Sequence, residues 1–131
     1  MDTSKEYIKM CEEAREIQEI TKDSCGQYSQ FIFIKQDLTI HKAVMVTYEE
    51  AEVVKRNNPQ NYIKFVWLPR QDQLVELIKY PFGISRIFIE FTIALREDTT
   101  LSIYGDTIEK LFLMYLMKKD YNKKWNGETW Q

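Results

Sequence analysis

Residues 67–74 read WLPRQDQL and mark the place where the pattern of the chain changes from strand to helix. Apolar residues alternate with others along residues 62–67, which is the two-residue period of a strand. The apolar positions of residues 74–78 have helical spacing instead. Pro69 suits the first position of a helix, because its missing N–H is not needed there. Asp72 is favoured in the first turn by the helix dipole. A strand is therefore predicted to end near residue 67 and a helix to begin at Pro69.

Two further runs are rich in β-branched and aromatic residues. Residues 30–35 read QFIFIK, and residues 38–46 contain apolar positions that suggest a half-buried strand. A turn is expected at residues 36–37, between the two runs. Together with residues 62–67, they predict a small, mostly antiparallel sheet within residues 29–67.

Three capping-box patterns predict where helices begin, because a Thr or Asp and a Glu three residues later can satisfy the free amide groups of a first turn. The pattern Thr3–Glu6 is expected to open a helix over residues 3–21. In the same way, Thr47–Glu50 is expected to open a helix over residues 51–55, and Asp106–Glu109 one over residues 107–121. Residues 84–95 fit either a helix or a buried strand. We favour the helix, because Arg86 and Glu90 then pair across one turn.

These patterns together predict an α+β fold. A chain of 131 residues suits one domain with one core, so residues 1–131 are interpreted as a single domain. Its small, mostly antiparallel sheet is expected to pack against an N-terminal helix and a C-terminal helical group.

The composition argues against several classes of function. A net charge of −2 gives no general attraction to nucleic acid or to anionic membranes. No apolar run approaches the roughly 18 residues of a membrane-spanning helix, and we expect no signal peptide. The four glycines are scattered, which excludes a glycine-rich phosphate loop. Two cysteines and one histidine cannot complete a zinc site by themselves. We therefore expect a cytoplasmic protein without cofactor or metal.

Few residues are candidates for catalysis. His41 is the only histidine and lies in an apparent strand, with no serine on a glycine elbow nearby, so a structural role is favoured. Asp72 and Glu76 are four residues apart on one helix face, where they could share a metal or a proton. No second pair of acids accompanies them, and such pairs are common on solvated faces. We predict no catalytic residue and no metal ligand.

Lysines and aromatic residues are interleaved near the end of the chain, where residues 118–125 read KKDYNKKW. Such a segment could contact a phosphate backbone and stack a base. The alternative is that the lysines solvate a helix end while the aromatic side chains fold back on the core. The candidate nucleic-acid-binding residues are Lys118, Lys119, Tyr121, Lys123, Lys124 and Trp125.

The physics of a helix start explains Pro69 and Asp72 but leaves Arg70, Gln71 and Gln73 unexplained. These three side chains could form a polar contact surface or pair with acids elsewhere in the fold. A weak partner-binding surface is therefore predicted, made of Arg70, Gln71, Asp72, Gln73 and Glu76.

Three blocks of the sequence resemble a family of small proteins associated with phages and prophages of Firmicutes. They are EYIKMCEEAREIQE at residues 6–19, WLPRQDQL at residues 67–74 and KKDYNKKWNGETW at residues 118–130. The likeness covers about a third of the chain. Residues 109–115 read EKLFLMY where the family often has EQLWLAF, and residues 26–61 depart most. The resemblance implies a genomic setting and supplies no activity or site residues.

The absence of a catalytic constellation and this resemblance lead to one hypothesis about function. The chain is predicted to be a non-catalytic accessory protein of a phage or mobile element that binds a host protein or nucleoprotein complex. An inhibitor of a bacterial defence system, similar to an anti-CRISPR protein, is its most concrete form. Binding of nucleic acid or a nucleotide through residues 118–125 is the alternative. The oligomeric state is left open.

Overall fold

The computed structural model of the protein describes residues 2–23, 28–41, 43–78, 84–97 and 99–131. Their contacts group into two compact units. The first is Thr3–Pro69, and the second is Arg70–Gln131 together with Asp2. The single domain over residues 1–131 stays a prediction.

The first unit contains an antiparallel sheet, which confirms the predicted α+β class. Its strands are β1 (Ser29–Lys35), β2 (Val44–Val46) and β3 (Tyr62–Leu68), in the order β2-β1-β3. In the register between β1 and β3, Phe31 lies opposite Trp67 and Phe33 opposite Phe65. The central strand is the QFIFIK run, and β3 forms one edge.

The second strand is shorter than predicted. Residues 38–46 were expected to be extended, but β2 begins only at Val44, and Ile40 makes an isolated bridge to Ile34. The reason is a tight turn at the start of the run. Leu38 has a φ of 66°, and the Asp37 carboxylate accepts hydrogen bonds from both N and Oγ1 of Thr39. The turn expected at residues 36–37 is confirmed.

The N-terminal helix differs from its prediction in two respects. Helix α1 (Lys5–Glu13) is capped by Ser4, whose Oγ accepts a hydrogen bond from the Tyr7 amide at 3.2 Å, so the cap predicted at Thr3 is wrong. The predicted single helix also breaks at Ala14, whose ψ of 71° is not helical. Helix α2 (Arg15–Ile20) and a 3-10 turn (Thr21–Asp23) follow the break. The apolar residues that recur at helical spacing belong to the core, since Tyr7, Met10, Cys11, Ala14 and Ile17 are fully buried.

Helix α3 (Tyr48–Asn57) begins at the predicted capping box. The Thr47 hydroxyl accepts a hydrogen bond from the Glu50 amide at 3.2 Å, and the Glu50 carboxylate accepts one from the Thr47 amide at 3.2 Å. Both halves of the box are therefore present, and the helix runs beyond the predicted residues 51–55.

The second unit is helical. Its helices are α4 (Gln71–Ile78), α5 (Ile84–Glu97), α6 (Thr99–Tyr104) and α7 (Ile108–Tyr121). The helix favoured for residues 84–95 is confirmed, whereas α6 was not predicted. Helix α7 is buried along most of its length, as its apolar sequence predicts, and it packs against α4. Its cap is Thr107, not Asp106, because Asp106 instead forms an ion pair at 2.7 Å with the buried Lys110.

A short hairpin ends the second unit. Trp125 and Trp130 lie opposite each other, with their ring centroids 5.1 Å apart, and Gly127 provides the turn with a φ of 100°. Two backbone hydrogen bonds between Lys124 and Gln131 close it. Within the described ranges, the helices are all too short or too polar to cross a membrane.

Candidate functional site

The WLPRQDQL segment forms a helix start whose geometry differs from the prediction. Helix α4 begins at Gln71, so Pro69 precedes the first helical position by two residues. The Arg70 amide donates a hydrogen bond to Gln73 Oε1 at 3.0 Å, so the Gln73 side chain caps the helix. The Arg70 guanidinium donates to both carboxylate oxygens of Asp72, at 3.1 and 3.3 Å. This contact lowers the pKa of Asp72 below its ordinary value.

The five predicted partner-binding residues are therefore not equivalent. Gln73 is only 8% exposed, and its capping bond gives it a structural role. Arg70 is half-buried and occupied with Asp72, while Gln71, Asp72 and Glu76 are exposed on α4. The surface available to a partner at this place is thus small.

The lysine-rich segment is divided between helix α7 and the hairpin. Lys119 Nζ donates a hydrogen bond to the carbonyl of Ile78 at 2.8 Å. Trp125 is 1% exposed, so its ring is not accessible to a base. Lys118, Tyr121 and Lys123 are half-buried, and Lys124 is exposed. The aromatic side chain folds back as the alternative interpretation expected, and nucleic-acid binding by the lysines stays a prediction.

His41 lines a shallow depression of about 500 Å³ in the first unit. Its ring centroid lies 5.8 Å from that of Tyr62. Asp37 lines the same depression, but its carboxylate is held by Thr39, which lowers its pKa. Of the residues that the structure describes, no serine, threonine or cysteine lines the depression as a possible nucleophile. Throughout the described residues, no three metal-ligating side chains converge.

A groove of about 540 Å³ in the first unit was not found from the sequence. It runs along β3, with the 3-10 turn and helix α3 beside it. Its charged and aromatic lining residues are Glu19, Lys22, Tyr48, Glu52, Lys55, Arg56, Lys64 and Phe65. Four bases against two acids give it an excess of two positive charges.

Helix α3 presents one face to this groove. Tyr48, Glu52, Lys55 and Arg56 follow one another at the spacing that places side chains on the same side of a helix. The Tyr48 ring packs edge-on against Phe65, with the centroids 5.4 Å apart. Burial raises the pKa of Tyr48, and the negative charge of Glu52 raises it further, whereas Lys22 acts in the opposite direction. The charges of Glu52 and Lys22 therefore act on the phenol in opposite directions.

One part of the β3 edge is closed by a side chain. Gln18 Oε1 accepts a hydrogen bond from the Trp67 amide at 2.8 Å, and Gln18 Nε2 donates to the Trp67 carbonyl at 2.9 Å. Nε2 also donates at 3.0 Å to the carbonyl of Cys11, near the break between α1 and α2. The carboxamide thus occupies the place that a neighbouring strand would take at Trp67.

The next outward position on the same edge is Phe65, and it is open. Along an antiparallel strand, the backbone groups of every second residue point to the same side. Because Trp67 turns its N–H and C=O outward to Gln18, Phe65 also turns both groups outward. The Phe33 carbonyl, which lies opposite Phe65, shows the same alternation. It points away from Phe65 and accepts a hydrogen bond from the His41 amide at 2.9 Å. Among the described residues, no hydrogen bond reaches the outward groups of Phe65.

The charges around this open edge are unequally neutralised. Lys22 forms an ion pair with Glu19 at 2.7 Å, and Lys64 forms one with Glu12. Lys55 and Arg56, in the last turn of α3, form no ion pair with any part of the chain that the structure describes. The free positive charge of the groove is therefore concentrated at the end of α3.

None of the predicted site residues lines this groove, since they belong to the second unit and the groove to the first. The sequence signal for it was weak. Bases in a last helical turn are explained by the helix dipole alone, and alternation in β3 does not show which edge stays unpaired. No family model, curated protein or solved structure matches the chain.

Proposed function

We propose that this chain is a non-catalytic binding protein that takes up an extended segment of a partner protein along the edge of β3. The observation that carries the proposal is the open backbone of Phe65 inside a groove of about 540 Å³. An extended peptide that adds a strand to a sheet edge gains main-chain hydrogen bonds, while flanking pockets select its side chains.

The magnitudes show that side chains must contribute to this binding. A hydrogen bond formed on association stabilises by about 0.5–1.5 kcal/mol net, so two bonds at Phe65 cannot fix a peptide by themselves. The aromatic wall of Tyr48 and Phe65 and the cations of α3 offer the additional contacts.

The resemblance to phage-associated proteins supports a setting for this activity. In that setting the partner is a host protein or nucleoprotein complex in the bacterial cytoplasm, and the chain inhibits a defence system by occupying it. The exposed Gln71, Asp72 and Glu76 stay predicted contacts of the second unit. The burial of Trp125 is the reason that nucleic-acid binding is kept only as the alternative.

A displayed library of random peptides, selected on the purified chain, tests the proposal. Each selected peptide is resynthesised with N-methyl groups at every second residue, once in each of the two possible phases. Strand addition predicts that one phase abolishes binding and the other leaves it nearly unchanged, because only alternate amides face β3. Equal effects of both phases would contradict strand addition.

The nucleic-acid alternative has its own test. Affinity for a single-stranded oligonucleotide through the lysines falls with salt and falls again in the variant Lys123→Glu/Lys124→Glu. Affinity that responds to neither change would exclude these residues as the binding site.

A further inference from the structure

We infer that the segment bound at β3 carries carboxylate side chains at every second position, on the face that lies against helix α3. This inference rests on the proposed function. The inference goes beyond the proposed function because it assigns the chemistry of the ligand. The ligand is an acidic peptide in which acidic residues alternate with other residues.

The alternation follows from the geometry of a strand. Side chains of an added strand point alternately to the two faces of the sheet, in step with those of β3. The Phe65 side chain lies on the α3 face, where it contacts Tyr48. Lys64 lies on the opposite face, where it pairs with Glu12 of α1. Half of the side chains of the ligand therefore meet α3, and the other half meet the face of Lys64.

The two faces differ in charge. On the α3 face, the side chains of Lys55 and Arg56 have no ion-pair partner among the described residues, and Lys22 is exposed beside its ion-pair partner Glu19. On the opposite face, Lys64 is already neutralised by Glu12. An anionic side chain is thus favoured only at the positions that face α3. Same-face side chains of a strand are about 6.6 Å apart, so successive acids can reach different cations along the groove.

A peptide fits these features better than a single-stranded nucleic acid does. Nucleic acid supplies negative charge, but its sugar–phosphate backbone has no amide to pair with both the N–H and the C=O of Phe65. The open backbone and the free cations together therefore favour an acidic peptide.

Synthetic peptides of about eight residues, the length of an ordinary strand, test the inference. In the first, threonine and glutamate alternate. The second has the same composition, with the glutamates in one block, and the third replaces each glutamate of the first by glutamine. Measured by fluorescence anisotropy, the alternating acidic peptide is expected to bind at least about tenfold more tightly than either control, a difference of about 1.4 kcal/mol.

Protein variants locate the selectivity. Lys55→Glu/Arg56→Glu is expected to abolish the preference for the alternating peptide, and the milder Lys55→Gln/Arg56→Gln to reduce it. The matched variant Lys5→Glu/Lys9→Glu, at two exposed lysines of α1, changes the net charge equally and keeps the preference. Should the double glutamate variant not fold, the glutamine variant carries the test.

The outcomes separate this inference from the proposed function. Equal affinity for the alternating, block and glutamine peptides would overturn the inference, while the proposed function would stand if bound peptide still protected the Phe65 amide from hydrogen exchange. Failure of every peptide to protect that amide would overturn both. Displacement of the acidic peptide by an oligothymidylate that binds more tightly would overturn the inference in favour of a nucleic-acid ligand.

Discussion

At the scale of single residues, Gln18 decides how much of the β3 edge is available. Its carboxamide makes three hydrogen bonds of 2.8–3.0 Å, two with the Trp67 backbone and one with the carbonyl of Cys11. It closes the edge at Trp67 and adds a second hydrogen bond to the Cys11 carbonyl, which also accepts one from the Ala14 amide. Phe65, the next outward position and a neighbour of the α3 cations in the groove, is left open.

The variant Gln18→Ala should therefore be clearly less stable than the wild type. Loss of the bonds leaves the N–H and the C=O of Trp67 without their partner, which is expected to lower the free energy of unfolding by about 1–3 kcal/mol. The matched control is Gln36→Ala, since the exposed Gln36 side chain makes one hydrogen bond, to the Pro59 carbonyl at 2.9 Å. Urea unfolding of both variants gives the comparison, and equal losses would contradict the role assigned to Gln18.

The titration of Tyr48 reports on the groove at the same scale. The pKa of Tyr48 is raised above 10.0 by burial and by Glu52, and Lys22 lowers it. The fold therefore favours the neutral phenol, so its contribution to stability is present below pH 10 and is lost as the pH rises through the raised pKa. Glu52→Gln should lower this pKa, and Lys22→Gln should raise it.

Carbon-13 labelling of the tyrosine rings allows both titrations to be followed by NMR, with Glu128→Gln in the second unit as a control that leaves Tyr48 unchanged. A pKa shift of the same sign in the Glu52 and Lys22 variants would contradict the opposite effects of these two side chains on the phenol.

At the scale of helices and strands, the sequence predicted the features that depend on residues close together in the chain. The capping box of Thr47 and Glu50 is present as predicted, because both partners lie within one turn of the same helix. The caps at Ser4 and Thr107 were each misplaced by one residue, since a neighbouring Thr or Asp has the same preference for the position.

Two of the features that were missed depend on contacts distant in sequence. The break at Ala14 accompanies the bonds of Gln18 to Cys11 and to Trp67, which is 49 residues away. The groove was missed because its lining comes from α2, the 3-10 turn, α3 and β3, which are far apart in the chain. The short β2 has a local cause instead, the turn around Leu38, whose positive φ no apolar pattern predicts.

Helix α3 lines the groove, so the cap that stabilises this helix also affects the groove. Thr47→Ala removes one half of the capping box and should lower the free energy of unfolding by about 1 kcal/mol. The control is Thr92→Ala in α5, where the hydroxyl bonds the Phe88 carbonyl within the helix and alanine is the better helix former. Thermal unfolding should show a loss only in the first variant, and equal losses in both would argue against the cap.

At the scale of the whole molecule, the features that carry the proposal all belong to the first unit. The sheet provides an edge, Gln18 closes one part of it, and α3 places cations beside the remainder. The α+β class and the antiparallel sheet could be predicted from the sequence. The binding edge could not, because an unpaired strand position is a property of the assembled sheet.

Amide hydrogen exchange along β3, resolved by NMR, shows whether the backbone of Phe65 is open in the free protein. In the free protein, the Phe65 amide is predicted to exchange much faster than those of Lys64 and Val66, which face β1, and faster than the Trp67 amide, which Gln18 protects. Addition of the alternating acidic peptide should slow exchange at Phe65 and leave Lys64 and Val66 unchanged. A Phe65 amide as protected as its neighbours in the free protein would contradict the open edge.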